Sequence, residues 1–214
     1  MLAVTRYNLA LLGHSQRYVP GALLFLAVLS IQYTFPTSPP VPEFAVSAAT
    51  LMIVSCWLTI ALLDVEDPVQ RLVTLSHARK WWPLITGVVL TVLLCAAAMT
   101  VVSETWSVVE HHNGFTGSLG LSALAHLSCA ALGIAIGLPC SRLLVARAGW
   151  TVISALVVLG LVILSRWIPL VNPMLSAMTN DKPIEEPILV ATVVCAVVLA
   201  LSATTVGTLA RRRS

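Results

Sequence analysis

Phe44-Ala-Val-Ser-Ala-Ala-Thr-Leu-Met-Ile-Val-Ser-Cys-Trp-Leu-Thr-Ile-Ala-Leu-Leu63 runs without a charge, a proline or a glycine. A helix needs ~20 predominantly apolar residues to cross a hydrocarbon core ~30 Å thick, and this stretch supplies them. Five more apolar stretches lie to either side, at Pro20–Phe35, Trp81–Val102, Ser118–Pro139, Trp150–Ser165 and Pro187–Ala210. No segment between them is long enough to fold as a soluble domain. The expectation is an all-α polytopic membrane protein: one transmembrane domain over residues 1–214 with six transmembrane helices. Helices are preferred to strands because backbone groups must be satisfied within each segment. The ten-residue alternation of a membrane barrel is missing.

Composition agrees. Hydrophobic residues make up 58% of the chain, charged residues 10%, and the mean hydropathy is +0.94; a soluble domain has roughly 25% charged residues. The two shortest stretches, 20–35 and 150–165, can lengthen. The first can take in Tyr18 and Val19, and the second can continue to Val171 if Arg166 reaches back to the interface. The N-terminal region is long and no small-x-small cleavage site follows Ser30, so the first stretch reads as a retained helix.

Loop charges set the topology. With both termini in the cytoplasm, the inner segments hold Arg6, Arg17, Arg71, Arg79, Lys80, Arg142, Arg147, Arg211, Arg212 and Arg213, and the outer segments hold only Arg166 and Lys182. That is a strong positive-inside bias. The net charge of +3 is therefore an orientation signal and makes no case for nucleic acid. Trp81, Trp82, Trp106, Trp150 and Trp167 fall at span ends, as an interfacial aromatic belt requires. Trp57 lies deeper and fits less well.

The connections carry their own signals. Residues 1–19 show a modest amphipathic pattern, with Ala3, Val4, Tyr7, Ala10 and Leu11 on one face, suited to a helix on the inner surface or to a plain basic tail. In the cytoplasmic connection Asp64–Lys80, Asp67-Pro68 is a strong helix start. Val69, Leu72, Val73 and Ser76 follow at helical spacing, and Arg79 and Lys80 suit the negative end of the helix dipole. A helix is expected near residues 68–79, either as a docking knob for a soluble partner or as a connector. The outer connection 166–186 is apolar in its first half but broken by Pro169 and Pro173, which suits a re-entrant or surface-lying segment.

Chemistry-bearing residues are few. The outer loop 103–117 carries Glu104, Glu110, His111 and His112, but adjacent side chains diverge on regular structure and no further ligands are visible, so no metal site is assigned. Cys56, Cys95, Cys129, Cys140 and Cys195 lie in or at the edge of apolar spans without CxxC spacing and read as packing residues. His126 lies about 12 Å into the fourth span at ~1.5 Å per residue. An ionisable residue at that depth is a functional candidate; the competing reading is a neutral imidazole bonded to a neighbouring helix. Gly133-Ile-Ala-Ile-Gly137 is a GxxxG, and with Ala125, Ala130 and Ala131 it forms a small-residue face for close helix packing, within the chain or across a dimer.

Several machineries are missing. Neither Lys80 nor Lys182 ends a GxxxxGK[ST], so this chain has no P-loop. HExxH and GxSxG do not occur. Glu185-Glu186 resembles the paired glutamates of intramembrane prenyl-protein proteases, but those carry an arginine four residues after the second Glu, where this chain has Val190. No catalytic residues are assigned, and the chain is expected not to be an enzyme by itself.

Three pieces together resemble a known outline: Ser15-Gln-Arg-Tyr-Val-Pro20 before the first span, Leu62-Leu-Asp-Val-Glu-Asp-Pro-Val-Gln-Arg71 after the second, and the broken apolar segment between the fifth and sixth. The whole chain is similar to the six-helix permease subunit of a bacterial ABC exporter without a fused ATPase, of an actinobacterial kind. Ten Arg to two Lys agrees with a high-GC source. The resemblance implies a multi-pass protein of the bacterial cytoplasmic membrane, with an elbow helix at 1–19. The 64–80 loop would couple to a separate ABC ATP-binding subunit through Asp64, Glu66, Asp67, Arg71, Leu72 and Val73. Trp167, Pro169 and Pro173 would form an outer gate, and a second permease copy or a paralogue would complete the path. ATP and Mg would be bound by the partner subunit, and this chain would hold no cofactor. Two rivals remain: a non-transporting membrane immunity or scaffold protein that binds a peptide or partner, and an intramembrane enzyme centred on His126.

Overall fold

In the computed structural model, residues 2–34, 39–65, 81–111, 118–143, 145, 148–164, 170–180 and 183–213 are described. Among them every regular element is a helix. In chain order these are α1 (Leu2–Ser15), α2 (Val19–Gln32), α3 (Pro40–Leu63), α4 (Trp81–His111), α5 (Leu119–Cys140), α6 (Ala148–Leu164), α7 (Asn172–Thr179) and α8 (Glu185–Arg213). Four of them, α3, α4, α5 and α8, are long and apolar enough to cross a membrane, while the apolar helices α2 and α6 are shorter. At ~1.5 Å per residue, the 14 residues of α2 reach about 21 Å, less than a full hydrocarbon core.

Two helices extend beyond the apolar stretches that announce them. α3 starts at Pro40 rather than near Phe44, because Pro40 stands in its first turn, where a missing N–H costs nothing. Glu43 then lies in that first turn, at the positive end of the helix dipole. The expected outer loop 103–117 is helical as far as His111. Ser103–His111 contains no Gly or Pro to stop it, and Ser103 and Ser107 are buried against the bundle, so tertiary packing carries the helix past the apolar window.

α3 is the central helix and is enclosed along most of its length. It packs most extensively on α5, and the two run parallel: Ser47 meets His126, Met52 meets Gly133, and Asp64 meets Arg142. In lipid, apolar side chains gain little by meeting each other, so close backbone approach drives association. Gly133 and Gly137 permit it here. A Cβ on Gly133 would collide with the Met52 carbonyl, and one on Gly137 would lie 2.8 Å from the Cys56 carbonyl oxygen. The small-residue face is thus filled from within the chain.

α8 lies on the other side of α5. Pro139, inside the last turn of α5, has no N–H to give the Ala135 carbonyl. Ser202 Oγ of α8 donates to that carbonyl instead, at 2.7 Å. Ser128 and Thr192 join the same pair of helices at 2.9 Å. The outward faces of α6 and α8 are apolar: Ile153, Leu156, Leu161 and Leu164 on α6, and Leu189, Val193, Val197 and Leu201 on α8, are all exposed. Apolar surface on that scale suits hydrocarbon rather than water.

α1 packs chiefly on α4. Thr5, Asn8 and Leu12 are buried, while Tyr7 is exposed. The contact with α4 is made where Val4 closes on Gly87. α7 occupies the expected re-entrant region and buries Met174, Ala177 and Met178, mainly against α3.

Candidate functional site

Polar side chains at helical spacing line the Glu43 end of the bundle. α3 contributes Glu43 and Ser47, α4 contributes Ser103, Ser107 and His111, and α5 contributes Ser122 and His126. Residues four apart on a helix share a face, so three helices turn polar seams toward one another.

His126 is fully buried. Its Nδ1 lies 2.8 Å from the Ser122 carbonyl oxygen, which can only accept, so Nδ1 carries the hydrogen. Nε2 then offers a lone pair to Ser47 Oγ of α3, 2.8 Å away. A neutral imidazole is thereby satisfied at both nitrogens, with Phe44 edge-on to the ring at 6.0 Å. This geometry suits a buried polar pin between α3 and α5.

The second seam is chemically different. His111 Nδ1 lies 2.9 Å from the Ser107 carbonyl oxygen and so is again the protonated nitrogen. Its Nε2 meets Glu43 Oε2 at 3.6 Å, with both side chains only 6% exposed. Tyr33, just past α2, lies edge-on to the His111 ring at 6.2 Å and stacks on Trp106 at 6.0 Å. Gln32 Nε2 donates to the Glu43 carbonyl oxygen at 2.8 Å. The Tyr33 hydroxyl faces Ser107 and Ser103, and among the described residues it, Ser103 Oγ and Gln32 Oε1 are buried without a well-formed hydrogen bond. Glu104 faces Ser122.

At the opposite end, Asp64 is a junction. The Arg142 backbone N–H, just past α5, donates to Asp64 Oδ1 at 3.0 Å, and the Arg142 guanidinium stands 4.0 Å from Oδ2. Arg17 Nη1 donates to the Asp64 carbonyl oxygen at 3.2 Å. The Trp57 indole N–H donates to the Arg17 carbonyl oxygen at 3.1 Å, which accounts for a tryptophan within the span. Arg211 and Arg212 close α8 at this same end.

Of the expected coupling residues, Asp64 is at this junction, whereas Glu66, Asp67, Arg71, Leu72 and Val73 lie outside the described residues, as does the whole helix expected near 68–79. Of the expected gate, Pro173 opens α7, while Trp167 and Pro169 lie outside the described residues. Gly133 and Gly137 are at the α3–α5 crossing. Among the described residues no three His, Cys, Asp or Glu side chains gather to hold a metal; His112 is outside that set. The five cysteines are free thiols.

Sequence reasoning missed Glu43, Tyr33 and Ser47, and left His111 in a loop. The signal was present in the spacing Ser103, Ser107, His111, which continues the helical period of the preceding span. Ending that span at Val102, where hydropathy falls, hid it. No protein-family model, curated protein or solved structure matches the chain.

Proposed function

We propose that this chain is the permease subunit of an ATP-driven exporter of the ABC kind, with six membrane crossings, both termini in the cytoplasm and the ATPase on a separate polypeptide. The placement is the bacterial plasma membrane, with the Asp64 end inside. The single observation that supports it best is the Asp64 junction. The connection 64–80 leaves the bundle where α3 is tied to the approach to α2 through Arg17 and to the end of α5 through Arg142. A partner pulling on that connection would move three helices together. The arginines at this end agree with the positive-inside rule.

Backbone contact between α3 and α5 leaves no room for cargo between those two helices, so the cargo path in this reading runs between two copies or between this chain and a paralogue. The same tight crossing favours the second reading, a non-transporting immunity or scaffold protein. Purification with a tagged ATPase subunit separates them. The permease reading expects an ATPase chain to co-purify, its hydrolysis to be stimulated, and Leu72→Asp with Val73→Asp to abolish stimulation while membrane insertion persists. An unstimulated ATPase, or full stimulation by the double variant, sinks the coupling role.

A further inference from the structure

His111 and His126 differ in what their Nε2 atoms face. Each has its Nδ1 hydrogen committed to a backbone carbonyl. For His126 the facing group is a hydroxyl, which can donate. For His111 it is the Glu43 carboxylate, which as an anion can only accept. A neutral His111 and an ionised Glu43 would set two lone-pair atoms against each other in a buried site, and such an arrangement is costly. One proton resolves it, by making either an imidazolium–carboxylate pair or a carboxylic acid donating to Nε2.

We propose that Glu43 and His111 form a binding site for one exchangeable proton at the Glu43 end of the bundle. The step is simple in balance: a hydronium ion yields its proton to the pair and leaves water, and no other bond changes. The hydroxyls of Tyr33 and Ser103, both nine-tenths buried or more, face one another beside the pair and can pass the proton or hold the water that brings it. The other titratable groups nearby on described elements are Tyr33 beyond α2, Glu104 and Glu110 on α4, and His126 on α5. His126 already has both nitrogens satisfied, and Glu104 faces Ser122 rather than this pair. No cation larger than a proton is needed, and the two partners already stand 3.6 Å apart. The inference is independent of the permease reading, since a proton site would serve a scaffold equally.

The test is proton uptake by the full chain in lipid nanodiscs, measured with an indicator dye between pH ~9 and ~5. Glu43→Gln and His111→Gln each replace the missing proton with an amide donor, so either variant satisfies the pair without one. The wild type is expected to take up about one proton more than either variant, while Ser47→Ala leaves the difference intact. Tryptophan emission adds a second readout, because Trp106 stacks on Tyr33 beside the pair. A pH-dependent change that Trp106→Phe removes is expected in the unmodified protein. Equal uptake by wild type and both variants overturns the proposal. So does an emission change that follows sodium at fixed pH rather than pH itself. If a Gln variant fails to fold, nitrogen-15 histidine spectra of the unmodified protein decide. An Nε2 that changes protonation on a histidine whose Nδ1 keeps its hydrogen upholds the site; no such histidine refutes it.

Discussion

Ser202 of α8 donates its hydroxyl hydrogen, at 2.7 Å, to the Ala135 carbonyl oxygen of α5, the acceptor that Pro139 four residues later leaves without its helical N–H. A gap in one helix is thus the attachment point of another. In a membrane an orphaned carbonyl finds no water, so such gaps are filled by neighbours.

This bond is testable by a double-mutant cycle. Ser202→Ala should lower stability in detergent by about 1 kcal/mol, the usual net worth of such a bond. In a Pro139→Ala background the helix supplies its own N–H to Ala135, so the same Ser202→Ala change should cost clearly less. Equal costs in both backgrounds would show the two residues to be uncoupled.

The α3–α5 crossing depends on two hydrogen atoms in place of side chains. Gly137→Leu should destabilise the fold by about 1–3 kcal/mol or more through overpacking, and Gly133→Ala should already be harmful, because its Cβ meets backbone, which cannot rotate away. Gly160→Ala is the control: among the described residues no neighbouring heavy atom lies within 4 Å of its Cβ position, and it should be neutral or slightly stabilising. Thermal unfolding followed by circular dichroism distinguishes the three.

Ser47→Ala removes the donor that His126 Nε2 accepts from and leaves a buried lone pair, which costs about 1–3 kcal/mol. His126→Ala should destabilise further by opening a cavity. A pinning role expects function to fall in step with thermal stability across the two variants. Function abolished at wild-type stability by His126→Ala would argue for chemistry at this residue.

Asp64→Asn should be mild for stability. Arg142 is half exposed and its guanidinium stands 4.0 Å from the carboxylate, so the ion pair is worth little, about 0–1 kcal/mol, and the amide oxygen of Asn can still accept from the Arg142 N–H. Asp64→Leu, which cannot accept, should cost about 1 kcal/mol more than Asn. Melting temperatures at low and high salt check both the order and the small salt dependence.

How far the sequence reached differs by residue. Phe44 through Leu63 announced a helix by hydropathy alone, and Gly133 with Gly137 announced a close approach without saying to what. Glu43 and His111 were invisible as a pair, since 68 positions separate them in the chain and each sits just beyond an apolar window.

Hydropathy and charge belong to single segments, so the chain alone announced helices, several of them long and apolar enough to cross a membrane, and arginines gathered in a few of the connections. Which helices touch is a property of pairs of surfaces. The parallel α3–α5 contact, the Ser202 bond that repairs Pro139, and the meeting of Glu43 with His111 arose only when three-dimensional packing brought distant segments together. In lipid, where one apolar face is as good as another, backbone approach and polar satisfaction chose those partners.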